Sequence, residues 1–317
     1  MEKTVVHSNV HESVKITVII PVLNNEAIIK RCIASALWAD EILLVDSFST
    51  DNTVKIAESL GARVIQHEYV YSAKQKNWAI PKAKNNWILL LDSDEVITPQ
   101  LVDEIKNLAE SGEFEKYDGF AIARPHYFLG KWLKWGGRYP LCNIRLFRKS
   151  CRYEDRDVHA HIVLPKDRVK ILKNDILHYS DPSLDHFFNK FNRYTTYQAN
   201  YMIKFVGKED KEIEWRKFFT HFIYAKSVIK DYWYFLPFTP FLRFTYMYFI
   251  RFGFMDGRYG FLIAVLYAFQ DYVSKTKYLE LKGKSPDLRF MTQKFIIQNI
   301  LPKGRVNSIS DRINIAI

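Results

Sequence analysis

Apolar residues follow two rhythms along this 317-residue chain. Residues 15–20 (KITVII), 41–45 (EILLV), 62–66 (ARVIQ) and 87–91 (WILLL) are short apolar runs bounded by polar or turn-forming residues, as in strands buried on both faces. Helical spacing separates them. Ile28, Ile29, Cys32, Ile33, Ala36 and Leu37 recur at three- and four-residue steps, residues 54–60 run to a glycine stop at Gly61, and residues 72–83 and 99–110 continue the alternation. Pro21 is expected to end the first strand, and Asn24, Asn25 and Glu26 to open the first helix. The pattern predicts an α/β domain with a mostly parallel sheet flanked by helices.

The rhythm changes past residue 110. Residues 119–153 mix strand-like runs with Trp132, Trp135 and the hinge-like pair Gly136 and Gly137; such rings, with arginines among them, suit sugars and phosphates, or simply a core. From Leu184 the chain reads helical, with Phe187, Phe191, Tyr194, Gln198 and Tyr201 on one face. After a charged break at residues 207–217 comes the most aromatic part. Pro237, Pro240, Arg243, Arg251, Asp256 and Arg258 interrupt it before any run reaches the ~20 apolar residues of a spanning helix. Aromatic helices with Arg and Lys among them fit the headgroup region of a membrane; burial of the rings in a homo-oligomer is the alternative.

Charge sharpens this division. Residues 1–120 carry 12 Lys and Arg against 18 Asp and Glu, and the remainder carries 34 against 17, so the later part would favour an anionic partner. Cys32, Cys142 and Cys151 lack the spacing of a zinc site or disulfide framework and suit a reducing compartment. The first fifteen residues lack the apolar core of a signal peptide, which predicts a cytoplasmic chain.

Candidate chemistry gathers where the strands end. Asp92 and Asp94 follow the most apolar strand, and an extended backbone would aim both carboxylates to one side, as ligands for Mg²⁺ or Mn²⁺. Alternatively Asp92, Ser93 and Asp94 cap the helix at 99–110. Asp46 ends the second strand, where a carboxylate could accept from a base or ribose, and Asp51 is either part of that site or a helix cap. On the third helix Lys74 and Asn77 could face the acids, whereas Lys76, Lys82 and Lys84 read as a solvated face. Glu154, Asp155, Asp157, His159 and His161 lie within eight positions, an acid-rich stretch that could hold a general base or form a surface turn neutralised by Arg152 and Arg156. His178, after Ile176 and Leu177, is a core histidine or a metal ligand.

The ordered motifs ITVIIPVLNNE, EILLVDSFSTDNT, AKQKNWAI and WILLLDSDE resemble the family 2 nucleotide-sugar glycosyltransferases, which have the GT-A fold. The subgroup it resembles most includes the bacterial lipopolysaccharide inner-core β-glucosyltransferases, with a VHE-like motif followed by HYS. The resemblance implies that Pro21, Asn24 and Glu26 touch the nucleotide, that Asp46 contacts the base with Asp51 the following acid, and that Asp92 and Asp94 form the metal motif with Ser93 between them. It also implies that His178 of His178-Tyr179-Ser180 is a further metal ligand. This chain has Val158-His159-Ala160 where the subgroup has VHE, so the base is sought at Asp157, with Asp155 and Glu154 as alternatives.

By this reading residues 14–183 are a GT-A domain, nucleotide-binding over about 14–110 and acceptor-binding over about 111–183, and residues 184–317 are a helical membrane-surface or oligomerisation region. The implied reaction is inverting transfer of a hexose from a UDP-sugar, with Mn²⁺ or Mg²⁺, to a cell-surface glycan or lipid-linked acceptor in lipopolysaccharide or exopolysaccharide synthesis, at the cytoplasmic face of the inner membrane. Two rivals stay open, the second the closer. A nucleic-acid-binding protein leaves the strand-end acids unexplained, and a sugar nucleotidyltransferase would show a Gly-rich, basic loop where residues 21–26 have neither.

Overall fold

A computed structural model describes residues 14–155, 160–181, 183–206 and 238–283, with single positions at 220, 233 and 236. These residues divide into two compact units. The first runs to Lys134 and from Arg138 to the end of the last strand, and the second takes Trp135–Gly137 and the described residues from Ser183 onward.

The first unit is α/β. In chain order it contains β1 (Ile16–Val22), α1 (Ile29–Ala36), β2 (Glu41–Asp46), α2 (Thr53–Ser59), β3 (Arg63–Gln66), α3 (Ser72–Ala79), β4 (Trp87–Leu90), β5 (Glu95–Ile97), α4 (Pro99–Glu110), α5 (Glu113–Lys116), β6 (Gly119–Ala123), β7 (His126–Phe128), β8 (Lys131–Leu133), β9 (Cys142–Arg148), β10 (Val169–Ile171) and β11 (Ile176–Asp181). Seven strands form one sheet in the order β10-β6-β9-β4-β1-β2-β3, and β5-β11-β7-β8 form a second. The strands β4, β1, β2 and β3 run parallel to one another, while β9 runs antiparallel between β4 and β6. Ile19, Ile20, Leu43, Leu44, Ile88, Leu89 and Phe147 are fully buried, which is what the unbroken apolar runs demand of a sheet covered on both faces.

Pro21 does not end β1. The Ile19 carbonyl accepts from the Leu91 amide, so the odd-numbered peptide groups face β4, and Pro21 lacks an N–H on that side, where pairing with β4 has stopped. On the β2 side the ladder continues through Pro21–Val45 to Val22–Asp46. The first helix begins at Ile29, later than expected, because Asn24 takes a left-handed φ of 50° and the Asn25 carbonyl receives the Ile28 and Ile29 amides in a preceding turn. At the opposite, amino end of the strands, Glu41 is a staple. It accepts from Thr17 (2.7 Å), Arg63 (2.8 Å) and the Lys84 amide (2.7 Å).

The second unit is helical: α6 (Leu184–Val206), α7 (Thr239–Thr245), a π-helical turn over Tyr246–Ile250, a 3₁₀ turn over Gly253–Asp256 and α8 (Gly257–Leu281). A Cβ at Gly260 would stand 1.9 Å from the Gly253 carbonyl oxygen, so only glycine lets α8 pack on the preceding turn. Among the described residues no helix is long and apolar enough to cross a membrane.

Candidate functional site

The polar loops after β1 and β2 are tied to each other. Asn24 Oδ1 accepts from the Thr50 amide (2.8 Å), and the Asn24 amide donates to Ser49 Oγ (2.9 Å). Glu26 Oε2 accepts from the amide and side chain of Asn52, both at 3.0 Å. Asp51 accepts from the amides of Glu26 and Thr53, both at 3.0 Å, so it closes the turn before α2, whose N-cap position is Asn52, and links it to the first loop. Asp46 is fully buried at the end of β2 and accepts from the Ser49 amide and from Gln66 Nε2 (3.1 Å). Asn24, Glu26, Asp46 and Asp51 thus lie on or beside one crosslinked pair of loops at the carboxyl ends of adjacent parallel strands, which is where such sheets take ligands.

Beside them, β4 ends in a tight turn instead of extended chain. The Glu95 amide donates to the Asp92 carbonyl (2.9 Å), placing Ser93 and Asp94 at the turn's centre. The two acids consequently meet different partners. Asp94 Oδ2 lies 3.3 Å from His178 Nε2, brought there because His178 on β11 pairs with Glu95 on β5. Asp92 faces cations: Arg145 at 2.8 Å, Lys76 at 3.4 Å and Arg124 at 3.6 Å. Burial alone would raise its pKa, but Arg145, Lys76 and Arg124 outweigh that and hold the carboxyl well below the usual range. Neither acid caps α4; Thr98 does, accepting from the Leu101 amide (3.2 Å).

Lys74 is exposed and Lys76 is the lysine that meets the acids, a reversal of the expected assignment by two residues on α3. Asn77 clamps the main chain of Tyr153 through its Nδ2 (2.9 Å) and Oδ1 (2.8 Å) and does not face the acids. Glu154 accepts from the His161 amide (3.1 Å), and Asp155 accepts from the Tyr71 hydroxyl. Asp157, Arg156 and His159 lie outside the described residues. Trp132 packs edge-on against Tyr139 under Lys134, and Trp135 packs against Phe252 in the helical unit.

Glu95, Arg124, Arg145 and His126 were not foreseen. Glu95 is fully buried, receives Arg124 and Arg145 on one oxygen, each at 2.8 Å, and holds the Asp92 amide with the other at 2.9 Å. Arg145 stands inside an apolar strand (NIRLFR), a break in pattern that could have flagged it. His126 on β7 contacts Ser180 Oγ through Nδ1 (2.9 Å) and Asp181 through Nε2 (3.3 Å), and burial pushes it down to about 4.

The three residues expected to hold a metal therefore do not assemble as a set, and among the described residues no group of three or more His, Cys, Asp or Glu side chains is arranged to bind one. Asp94 and His178 fit as two ligands of a divalent ion; Asp92, facing three cations, does not.

Residues 17–165 match the family model described as glycosyl transferase family 2. An uncharacterized glycosyltransferase of Rickettsia typhi is 32% identical over 86% of this chain and 89% of its own length. The chain belongs to glycosyl transferase family 2. Lipopolysaccharide core biosynthesis glycosyltransferase LpsC of Rhizobium meliloti is 27% identical over 57% of this chain and 69% of that one. Among solved structures, glucosyl-3-phosphoglycerate synthase of Mycobacterium tuberculosis, in complex with Mn²⁺, UDP and glucosyl-3-phosphoglycerate, matches 35% of this chain and 44% of that chain at 25% identity and a TM-score of 0.31. As a member of family 2 the chain is a glycosyltransferase with a nucleotide-sugar donor and a glycan acceptor; its first unit is α/β and its second is helical and aromatic-rich.

Proposed function

We propose that this glycosyltransferase moves a hexose, with glucose the first candidate, from a UDP-sugar to a glycan or lipid-linked acceptor in lipopolysaccharide or exopolysaccharide synthesis. The observation that carries the donor half is the crosslinked pair of loops holding Asn24, Glu26, Asp46 and Asp51 beside the Asp92–Glu95 turn. The name of the LpsC relative supports the acceptor class.

In the proposed reaction a carboxylate removes the acceptor hydroxyl's proton as its oxygen attacks the anomeric carbon from the face opposite the leaving group. The new glycosidic C–O bond forms, the C–O bond to the diphosphate breaks, and its electron pair leaves on the β-phosphate oxygen, inverting the centre. Asp157 is the first choice for this base. Asp155 and Glu154 are placed second because they already hold Tyr71 and the His161 amide. A divalent cation on Asp94 and His178 would add positive charge at the leaving diphosphate. We place the helical unit on the inner membrane's cytoplasmic surface, where its exposed rings would meet the headgroups.

A nucleotide-release screen of sugar donors with Mn²⁺ or Mg²⁺ and a lipopolysaccharide-core acceptor tests the proposal. UDP release from UDP-glucose, with the product's new linkage β by NMR, is expected. Turnover only with donors carrying another nucleotide, or a product of retained configuration, would overturn it.

A further inference from the structure

Beyond the donor reading, on which this inference rests, the turn after β4 holds an unexpected charge arrangement. Three cations, Lys76, Arg124 and Arg145, converge on two carboxylates, Asp92 and Glu95, while Asp94 of the same turn meets His178. The cluster's root is sealed and its tip is open. The side chains of Glu95 and Arg145 are 0% and 5% exposed, while those of Lys76, Arg124 and Asp92 are 12%, 21% and 33% exposed.

A role in stability alone explains this poorly. Buried ion clusters rarely outperform apolar packing. Hydrogen bonding is also incomplete. The Nε atoms of both Arg124 and Arg145 are buried with no partner among the described residues. The Lys76 ammonium, a group with three donors, reaches Asp92 at the long distance of 3.4 Å and otherwise lies 5.4 Å over the Tyr153 ring. Spare donors on Lys76, with two guanidinium groups beside a partly open carboxylate, are the complement of an incoming polyanion.

We propose that Lys76, Arg124 and Arg145 are a preassembled cation cluster that takes the diphosphate of the donor, and that Asp92 is the anchor of these cations and not a ligand of the divalent metal. Glu95 is then a positioning residue: by fixing the Asp92 amide and both guanidinium groups, it sets the cluster before the ligand arrives. Cations held in place need no reorganisation as charge builds on the leaving oxygen. Recognition of a nucleoside diphosphate would therefore survive removal of metal, with Asp94 and His178 adding a separate, metal-dependent increment.

Calorimetric titration of the full chain with UDP and with uridine, in EDTA and in Mn²⁺, tests this. In EDTA, UDP is expected to bind at least about tenfold more tightly than uridine. Lys76→Met and Arg124→Gln should each erode that ratio about fivefold or more without weakening uridine, and Lys76→Arg should keep most of it. Circular dichroism and melting temperature establish that each variant is folded, and the more exposed Lys76 site guards against a misfolded Arg124 variant. Asp94→Asn should abolish the Mn²⁺ increment, whereas Asp92→Asn should leave that increment and lower affinity in EDTA. UDP affinity equal to that of uridine in EDTA, or an unchanged ratio in folded Lys76→Met, would overturn the inference, and loss of the Mn²⁺ increment in Asp92→Asn would return Asp92 to the metal. If UDP fails to bind in either condition while another nucleoside diphosphate does, the UDP reading fails, and the same variants measured with that nucleotide still decide the cluster's role.

Discussion

In the α/β unit Phe120, Phe128 and Phe147 are fully buried, and the charged groups collect at the ends of the strands. The helical unit has an apolar core as well, including Ala199, Met202, Tyr278 and Leu279, but adds two features. Phe238, Phe241 and Ile250 are 79%, 68% and 62% exposed, while Gln270, Asp271, Ser274 and Lys275 line the buried side of α8. Water selects the first pattern. The second is favoured where the surroundings are apolar, because exposed rings then lose nothing and interior polar groups, joined to one another, hold the helices together. Asp271 receives Arg243 (3.0 Å) and Trp233 Nε1 (2.8 Å), Ser274 donates to Gln198 (2.6 Å), and Lys275 donates to the Leu236 carbonyl (2.7 Å). The exposed rings and polar interior of the helical unit are what the proposed membrane-surface placement would use, whereas the α/β unit carries the polar loops at its strand ends.

The strongest way to break this comparison is to separate chemistry from attachment. Asp94→Asn should lower transfer by about 10²- to 10³-fold, since it removes charge next to the leaving group, and should leave vesicle binding unchanged. Equal losses of activity and vesicle binding would mean that the two units do not divide the work. Conversely, replacing Phe238, Phe241, Phe249 and Ile250 together by Ser should lower partition onto anionic vesicles by about 10²-fold or more, with UDP affinity unchanged. Sedimentation with liposomes measures it. Full vesicle binding by that variant, or a wild-type chain that ignores vesicles and sediments as an oligomer, would favour ring burial between copies.

The comparison also marks what could be read from the sequence. Unbroken apolar runs constrain the backbone directly, so β1, β2, β4 and the helices between them were legible, with errors of a few residues at their ends. The site was legible as positions but not as contacts. Asp92 and Asp94 looked equivalent because two residues of extended chain put side chains on one face; the actual turn, closed from the Glu95 amide to the Asp92 carbonyl, sends them to different partners. Lys76 looked solvated because nothing local reports that β9 brings Arg145 alongside. That contact depends on antiparallel pairing of Leu89 with Leu146, fifty-seven positions away along the chain. His178 was recognisable only through its motif, and its closeness to Asp94 depends on strand pairing in the second sheet.

A subtler difference lies in ion pairs. Asp118 in the α/β unit binds Arg148 (2.9 Å) and Arg168 (2.8 Å), with side chains 26% to 40% exposed, so water screens the attraction. Asp271 is 2% exposed, and its loss would remove the carboxylate that Arg243, 28% exposed, meets among the described residues. Asp271→Ala is therefore expected to destabilise by about 3 kcal/mol and Asp118→Ala by under about 1 kcal/mol. Denaturant midpoints followed by circular dichroism check both. Similar costs for the two would mean that the polar interior of the helical unit is wetter than its burial implies.

The smallest expected effect is a pH dependence that differs between the units. Burial pushes Lys275 down from 10.5 to about 8, with Asp271 offsetting only part of that. Between about pH 8 and 10.5 the unfolded chain then binds more protons at this site than the folded one, so its contribution to stability rises with pH across that window and is flat below it. His126 in the α/β unit is also depressed, from 6.5 to about 4, chiefly by burial, so its contribution rises between about pH 4 and 6.5 and is lost on acidification. Comparing wild type with Lys275→Met from pH 7 to 10 isolates the alkaline limb. Wild type should gain on the variant above pH 8 at up to about 1.4 kcal/mol per pH unit, the linkage limit for one proton, and His126→Gln should leave that limb intact. A difference between wild type and Lys275→Met that stays flat from pH 8 to 10 would show that Lys275 keeps its charge, and with it that water reaches the side of α8 where the polar residues sit.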